Sequence, residues 1–456
     1  MFTAENIPCL LTGAREAFGI FQFESDGDDR RSVLMIVVAF EMHRLARSRV
    51  CEAAHDTLAL MSHTHAELLH PLAGPLHPLG LTRVQFVEAA QARGTKAATA
   101  RDEYKALFRQ GIVPAWCEVA DYPVTATLVE GETSKFVLRH EDGLETESVL
   151  IPMPRASGTT TTLCVSSQVG CAMGCGFCET AQMGLLKNLR ADQIVHQWWA
   201  ATHRVQRASS AGEPSASARV IKNIVFMGMG EPTDNIDAVI QSVRVLVDHD
   251  GAMIPASNIS ISTVGNPEGI EKIGALVSEV GFHRLNLALS LNAPNDAIRS
   301  SIMPVNKAWP MARLKSALAA FPRFSQSAFC VEYVLIPGVN DSDEHCDEVC
   351  AFLRDIRCSF NVIPYNPRRN SPWPAPDEAS IERFIARALA NGQFTKRRGT
   401  KGRQVMAACG QLGNEKIRHR KVLGDDGNYA PLVKVRVPMR NSNETSEHNP
   451  LRTNDS

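Results

Sequence analysis

The segment from Gly170 to Cys178 constrains this chain more than any other. It reads Gly-Cys-Ala-Met-Gly-Cys-Gly-Phe-Cys, so that Cys171, Cys175 and Cys178 are separated by three and then two residues. Thiols at this spacing can turn toward one point from a short loop, and the glycines on both sides of Cys175 let the backbone bend around a ligand. A closed zinc site would need a fourth ligand from a second Cys or His pair. No such pair follows, so the sequence predicts a metal centre with one open coordination position.

The donor set favours an iron–sulfur cluster. Such clusters are normally held by four thiolates, and a cluster with only three leaves one iron free to bind another molecule. This loop resembles that of the radical-SAM superfamily, whose free iron binds the amino and carboxylate groups of S-adenosylmethionine (SAM) before electron transfer generates a 5′-deoxyadenosyl radical. The alternatives are a zinc knuckle or three buried thiols without a ligand, and the flanking glycines argue against both.

Length and composition limit the remaining possibilities. The 456 residues predict one large catalytic domain with appended pieces. A net charge of -1 provides no overall field for nucleic acid, so a basic RNA-binding surface must be local. The early apolar run from Val33 to Phe40 is too short to cross a bilayer. We therefore expect a cytoplasmic protein without a membrane segment, in a reducing compartment that suits thiolate ligands.

A repeated alternation of strand and helix patterns begins near residue 162 and predicts an α/β fold. Six such alternations predict a parallel sheet with helices outside it, curled into a partial (β/α)6 barrel. Sites of such sheets lie at the carboxyl ends of the strands, and the cysteine segment follows the first of them. The predicted strands are 162–165, 224–227, 259–263, 285–291, 331–336 and 361–364, and the helices lie near 191–207, 236–248, 267–279, 311–320, 344–356 and 378–390.

The other parts of the chain are assigned from composition and period. Residues 1–75 form an N-terminal extension of unknown role, and residues 80–120 have the pattern of a small helical accessory module. A short β-meander over residues 122–152 opens the catalytic domain, which extends to residue 425. Residues 207–219, a polar insertion, and 441–456, a polar tail, lack apolar periodicity, and we expect disorder in both.

Polar residues follow the predicted strands and are candidates for cofactor binding. Gly228 and Gly230 let the backbone approach a ligand closely, and Glu231 can accept a hydrogen bond from an ammonium group or a ribose hydroxyl. Each polar residue taken singly more often caps a helix. Together they would line one cavity. The further candidates at strand ends are Ser262, Ser290, Asn292 and Asn366.

Eight segments in collinear order, between about residues 80 and 415, extend the resemblance. They are the cysteine segment, Thr180–Leu189, Gly228–Pro232, Ser262–Gly265, Ser290–Asn295, Pro337–Asp341, Pro364–Pro367 and Ala408–Leu412. On these segments the chain resembles the RlmN/Cfr family of radical-SAM RNA adenosine methyltransferases. An asparagine, Asn292, stands where a histidine is frequent in the family, and it still offers a hydrogen bond.

The resemblance implies cofactors and roles for matching residues. It implies a [4Fe-4S] cluster on Cys171, Cys175 and Cys178, and SAM bound by Gly230, Glu231, Ser262, Ser290, Leu291, Asn292 and Asn366. Cys409 would carry the methyl group, and Cys164 would release the product by forming a disulfide with Cys409. Glu147 would remove a proton from the adenine, with Glu145 as a competitor for this role and a solvated strand carboxylate as the alternative.

The resemblance also implies the substrate and partners. These are an adenosine of ribosomal or transfer RNA, methylated at C2 or, as in the Cfr branch, at C8, and an electron donor such as flavodoxin or ferredoxin. We expect a monomer. The basic segments 396–403 and 416–421 on either side of Cys409 would bind RNA phosphates. A radical-SAM enzyme with another substrate and a non-catalytic, metal-stabilised RNA-binding protein remain as alternatives.

Overall fold

The computed structural model describes residues 76–155, 158–205, 220–324 and 328–414. The predicted N-terminal extension, the polar insertion over residues 207–219, the second basic segment and the polar tail lie outside the described residues.

One mixed β-sheet organises the described residues. Its ten strands lie side by side in the order in which they occur in the chain, and β5 and β6 form a separate two-stranded sheet. The strands are β1 (Val124–Glu130), β2 (Thr133–Arg139), β3 (Glu145–Arg155), β4 (Gly158–Cys164), β5 (Gln168–Gly170), β6 (Leu185–Asn188), β7 (Ile221–Phe226), β8 (Ile259–Thr263), β9 (Asn286–Ser290), β10 (Phe329–Leu335), β11 (Cys358–Pro364) and β12 (Thr395–Arg397).

The sheet has an antiparallel part and a parallel part that meet at β4. Strands β1 to β4 pair antiparallel, and β4 then pairs parallel with β7, so that Cys164 lies between Val149 on one side and Val225 on the other. From β7 to β12 every pairing is parallel. The six predicted strands and the α/β class are confirmed. The predicted meander is continuous with the parallel sheet because β3 forms hydrogen bonds along β4.

Two elements differ from the prediction. Strand β12 extends the sheet beyond β11, and two of its three residues are exposed, so it lacks an apolar pattern. A seven-residue helix, α6, follows β9 and is too short to show a helical period. The helices of eight or more residues are α1 (Arg83–Gln91), α2 (Ala97–Gln110), α3 (Ala191–Ala200), α4 (Ile236–Val247), α5 (Pro267–Ser278), α7 (Met311–Ala320), α8 (Asp343–Leu353) and α9 (Glu378–Ala390), and α6 spans Asp296–Ile302.

Helices α1 and α2 pack on the barrel. A capping box between Thr82 and Gln85 starts α1, because the threonine side chain satisfies a backbone N–H at the helix end. The Tyr104 ring of α2 lies 5.3 Å from Phe86, and Trp199 of α3 donates to the Leu107 carbonyl at 3.1 Å. The two helices therefore share one hydrophobic core with the sheet. In the part of the chain that the structure describes, no helix has the length and apolar character needed to span a membrane.

Candidate active site

The cysteine loop, residues 171–178, begins at a backbone position that requires glycine. Gly170 has a φ of +76°, and a Cβ atom there would lie 1.8 Å from the Gly184 carbonyl oxygen. The close approach lets the Cys171 amide donate to that oxygen at 2.9 Å. The strand pair β5 and β6 thereby holds both ends of the segment that contains the loop.

The middle of the cysteine loop is held from two sides. The Gly176 amide donates to the Ile302 carbonyl at the end of α6, with a distance of 2.9 Å. The Arg368 Nε donates to the Gly176 carbonyl at 2.7 Å. These contacts fix the loop backbone without using any cysteine sulfur.

The three thiols of the loop suit a metal centre chemically. Cys171 and Cys175 are buried, Cys178 is half-buried, and all three are free thiols. Burial, the largest cause, raises the pKa of each thiol above its ordinary value. The thiols therefore stay protonated until a metal displaces the protons, because thiolates are the form that binds metal.

One cavity lies at the carboxyl ends of the parallel strands and gathers most of the predicted site residues. Cys409, from the far end of the described chain, is exposed and lines the same cavity. The predicted residues that line it are Cys171, Cys175, Cys178, Gly230, Glu231, Ser262, Ser290, Asn292, Asn366 and Cys409. Leu291, Cys164 and Glu147 are not among the lining residues.

The Cys409 segment, residues 406–413, folds directly onto the cysteine loop. The Glu179 amide donates to the Gly410 carbonyl at 2.7 Å, and the Thr180 hydroxyl donates to the Leu412 carbonyl at 2.6 Å. Contacts between residues about 230 positions apart thus bring the Cys409 thiol to the cavity.

Cys164 lies at the end of β4 and is buried. Burial first, and then the nearby Cys409, raises the pKa of the Cys164 thiol to about 12. The cation in the same neighbourhood is Arg398, whose Nη1 donates to the Glu332 Oε2 at 2.8 Å. Arg398 lines the cavity, although its position in a basic segment suggested an RNA contact. The two thiols and this arginine therefore form one cluster.

Comparison with known proteins agrees with this geometry. Residues 165–349 match the Radical SAM superfamily. The chain is 41% identical over 299 residues to a probable dual-specificity RNA methyltransferase RlmN 1 of Protochlamydia amoebophila, an alignment that covers 66% of this chain and 78% of that protein. It is 31% identical over 415 residues to the dual-specificity RNA methyltransferase RlmN of Bdellovibrio bacteriovorus, covering 87% and 98% of the two chains. The chain belongs to the RlmN family.

A solved structure supports the same assignment. The crystal structure of a radical SAM methyltransferase from Sphaerobacter thermophilus matches with a TM-score of 0.65 and 35% identity, over 74% of this chain and 98% of that one. The predicted fold and enzyme class, a partial barrel and a radical-SAM methyltransferase, are confirmed. The RlmN family uses a [4Fe-4S] cluster and SAM.

The residues around the cavity fit both groups. The three thiols supply the donors that a cluster needs with one position left open. Asn366 is buried, and its Oδ1 has no hydrogen-bond partner among the described residues, so the cavity presents an unused acceptor. Buried polar atoms are normally paired, and an unpaired one in a cavity indicates that a ligand supplies the partner.

Glu231 is a buried carboxylate that lines the cavity. Its Oε1 accepts from the Thr233 amide at 3.1 Å, and its Oε2 accepts from the Val264 amide at 3.0 Å. Burial raises the pKa of Glu231 to about 7, and these hydrogen bonds oppose the shift. An ammonium group in the cavity would favour the ionised carboxylate, which is how Glu231 would hold the amino group of SAM.

The other predicted SAM contacts differ in how much of each side chain remains available. The Ser262 hydroxyl donates to the Phe226 carbonyl at 2.7 Å, and the Asn292 Oδ1 accepts from the Val334 amide at 3.0 Å. Leu291 is fully buried in the core.

Glu147 and Glu145 both contact the Cys409 segment or its immediate neighbour. The Glu147 Oε2 lies 3.3 Å from the Lys135 Nζ and accepts from the Gly413 amide at 3.1 Å. The same Lys135 Nζ donates to the Met406 carbonyl at 3.1 Å. A buried ion pair thus holds both ends of the segment. The Glu145 Oε2 accepts from the side-chain Nδ2 of Asn414 at 3.0 Å.

Sequence analysis missed three residues of this site. Lys135 and Glu332 are charged residues on strands, and nothing in their local pattern marks them as buried. Arg299 lies on α6, the helix that was not predicted, and is fully buried beside the cavity. The signal in the sequence was an arginine four residues after Asn295, the residue that caps α6, and close to the end of β9.

Proposed function

We propose that this chain methylates the C2 carbon of an adenosine in ribosomal RNA, transfer RNA or both, through a methyl group carried on Cys409. The relatives named above are dual-specificity RNA methyltransferases, which supports the RNA substrate. The observation that carries the proposal is the position of Cys409, an exposed thiol on the same cavity as the three cysteines of the loop.

A carrier thiol answers a chemical difficulty. The C2 carbon of adenine is not nucleophilic, so a polar methyl transfer cannot reach it, whereas a carbon radical adds to it. The cluster and SAM supply that radical chemistry. The part of Cys409 is to accept a methyl group: its thiolate electron pair forms the new S–C bond while the sulfonium–methyl bond of SAM breaks. Because Cys409 is exposed on the cavity, its sulfur is accessible to the target adenine.

We assign product release to Cys164. After the radical addition, the transferred carbon joins the Cys409 sulfur to the adenine carbon. The Cys164 sulfur then forms an S–S bond with Cys409 while the bond between Cys409 and the transferred carbon breaks. The electron pair of that bond stays on the carbon side, which takes up a proton, and cellular thiols reduce the disulfide. The burial of Cys164 next to Cys409 supports this pairing, because a buried thiol reacts with its neighbour before other molecules reach it.

Glu147 is the residue that we propose as the base for the adenine proton. In the described structure its Oε2 is bound by Lys135 and by the Gly413 amide. The other carboxylate oxygen, Oε1, is therefore the one that would take up the proton. Glu145 remains the competitor, because it too contacts this region of the chain, at Asn414.

The RNA is expected to enter over the exposed face beside Cys409. Lys396 and Arg403 are exposed, whereas Arg397 is paired with Glu378 and Arg398 lines the cavity. Exposed cations bind phosphates and orient the RNA. The target adenine must leave its stack to reach the cavity, so a loop nucleotide is favoured over a paired one. We propose a cytoplasmic monomer that receives electrons from a flavodoxin or a ferredoxin.

Mass spectrometry of RNA from cells with and without the gene tests the proposal. We expect one adenosine to lose a C2 methyl group when the gene is deleted. Loss of a C8 methyl group would assign the Cfr-branch alternative, and no lost methyl group would contradict the proposal.

The anaerobically purified protein provides a second test. Peptide mass spectrometry is expected to find a methyl group on Cys409, and Cys409→Ala is expected to abolish RNA methylation. Activity that survives in Cys409→Ala would indicate a radical-SAM reaction without a carrier thiol. The variant Cys117→Ala, at a half-buried cysteine outside the cavity, is the control.

A further inference from the structure

Arg299 is a buried arginine directly behind the cavity. It is fully buried. Its Nη2 donates to the Val264 carbonyl at 2.6 Å, and its Nε donates to the Leu291 carbonyl at 3.0 Å. These carbonyls belong to the segments that follow β8 and β9. The guanidinium thereby ties together two of the strand ends from which the cavity is built.

The charge of Arg299 has no direct counter-ion. Among the described residues no carboxylate forms an ion pair with it, and its Nη1 donates instead to the Asn306 Oδ1 at 2.8 Å. The nearest carboxylate in this chain of contacts is Asp296, whose Oδ1 accepts from the Asn306 Nδ2 at 2.9 Å. Burial lowers the pKa of Arg299 to about 10, against the attraction of Cys175 and Asp296. The side chain is therefore still a cation near neutral pH.

A buried charge without a counter-ion is costly. The penalty for taking an ion out of water is several kcal/mol even after relaxation. Neutral donors could bind the same carbonyls, so the hydrogen bonds alone do not explain an arginine at this position. The charge becomes favourable if an anion binds close by.

The cysteine loop supplies that anion. The helix that carries Arg299 ends at Ile302, whose carbonyl accepts from the Gly176 amide of the loop at 2.9 Å. Arg299 is thus connected to the loop through the last four residues of one short helix, from Arg299 to Ile302. Three thiolates outweigh the charge of the cluster core that they hold, so a loaded site is an anion, and reduction makes it more negative.

We propose that Arg299 is a positioning residue that uses its buried charge to raise the reduction potential of the cluster site. A nearby cation stabilises the more negative, reduced form. This inference rests on the cluster of the proposed function, and it goes beyond that function by assigning a role to a residue that contacts neither the substrate nor the metal.

The test compares reduction potentials of reconstituted protein, measured anaerobically by dye-mediated titration with electron paramagnetic resonance. Arg299→Gln removes the charge and keeps an amide donor, and Arg299→Lys keeps the charge. At the wild-type midpoint potential we expect at least a tenfold lower ratio of reduced to oxidised cluster in Arg299→Gln, a shift of about 59 mV for one electron. Arg299→Lys is expected to stay close to wild type.

A second variant leaves Arg299 unaltered and is expected to shift the reduction potential in the opposite direction. Asp296→Asn removes the charge of the carboxylate that is linked to Arg299 through the Asn306 side chain. The oxygen of the new asparagine side chain can still accept from the Met311 amide. We expect a shift toward a more positive potential. If Arg299→Gln fails to fold, a negative shift in Asp296→Asn still overturns the inference. The control for a general loss of positive charge is Arg387→Gln, because Arg387 pairs with Asp343 and Asp347 on the outer helix α8.

Three outcomes would overturn the inference. They are an unchanged potential in Arg299→Gln, an equal shift in Arg299→Gln and Arg299→Lys, or a negative shift in Asp296→Asn. An equal shift in both Arg299 variants would mean that the geometry of the side chain matters and its charge does not. A wild-type protein that binds no iron would contradict the proposed function instead, so the two failures are distinguishable.

Discussion

The two cysteine-bearing segments of the cavity are held in opposite ways. The cysteine loop keeps two of its three thiols buried, and its backbone is bound on both sides, by Gly184 and by α6. The Cys409 segment presents an exposed thiol and is held at its two ends by the buried pair of Lys135 and Glu147.

This difference matches the chemistry expected of each segment. Ligands of a metal centre need a fixed geometry and little water, which a buried, short-range loop provides. A carrier thiol must react in turn with a methyl donor, a base and another thiol, so it needs access and some freedom to move. The contacts that hold this segment are made by its backbone, at Met406, Gly410, Leu412 and Gly413, and they leave the Cys409 side chain exposed. The comparison predicts that substitutions in the two segments affect different properties of the protein, iron content in one case and methylation alone in the other.

The largest effect is expected from Cys175→Ala. Loss of one of three thiolates removes the cluster, so iron and methylation should both be lost. Cys409→Ala is expected to keep the iron content and the cluster absorbance of wild type while losing methylation. Iron analysis of the anaerobically reconstituted variants measures the separation. Equal loss of iron in the two variants would contradict the comparison.

Removal of the cation that holds the Cys409 segment comes next. Lys135→Met leaves Glu147 buried without its partner, and breaking a buried ion pair in this way lowers the free energy of unfolding by about 3–5 kcal/mol. Urea unfolding measures the loss, and hydrogen exchange at residues 406–413 is expected to rise.

Two variants calibrate that result. Lys135→Met combined with Glu147→Leu should recover most of the stability but not the slow hydrogen exchange, because the Met406 carbonyl and the Gly413 amide still lack partners. Arg139→Ala breaks an exposed pair with Glu145 on the same two strands and should cost no more than about 1 kcal/mol. If Lys135→Met were as stable as Arg139→Ala, the buried pair would not be the anchor.

Acid tests the buried contact of Tyr122 with His140 and His196, which joins the residues flanking β1 and β2 to α3. Burial lowers the pKa of His140 to about 4 and that of His196 to about 3, and Tyr122 lies between the two rings. The unfolded chain binds protons to both below about pH 6.5, whereas the folded chain does not. Stability is therefore complete above that pH and falls toward pH 4.

Urea unfolding at pH 6.5 and pH 5 measures this loss of stability. His196 alone should account for about 2 kcal/mol, at 1.36 kcal/mol per pH unit. His196→Phe is expected to flatten the dependence by that amount. A pH dependence unchanged in His196→Phe would show that this histidine is not the titrating group.

The smallest effect is expected from Asn366→Ala. Its Oδ1 has no partner among the described residues, so the free protein should lose little stability. SAM affinity, measured by calorimetry on cluster-loaded protein, should fall about tenfold, which corresponds to one hydrogen bond of about 1.4 kcal/mol. The surface variant Asn391→Ala is the control. Unchanged affinity would remove Asn366 from the SAM site.

The sheet was predictable because its signals are local. The apolar run before the cysteine loop and the five that follow are each separated by amphipathic segments, and the observed strands lie within a few residues of them. Strand β12 and helix α6 were not predictable, since three polar residues and seven residues respectively carry too little periodic pattern.

The site was predictable in its residue types but not in its contacts. The spacing of Cys171, Cys175 and Cys178 predicted a metal loop, and ten predicted residues line one cavity. Arg398 was assigned to RNA with its basic neighbours, yet Glu332 holds it at the cavity. The sequence shows how many cationic residues a segment contains. The direction in which each side chain points depends on which strand lies beside it.

The sequence by itself determined the cysteine spacing, the alternation of strands and helices and the polar residues at the strand ends, because each depends on neighbours a few positions away. The tertiary structure alone decided that Cys409 meets the cysteine loop across about 230 residues and that Arg299 lies buried with no carboxylate paired to it among the described residues. Such contacts arise from the packing of distant segments, and no local pattern records which segments will pack together.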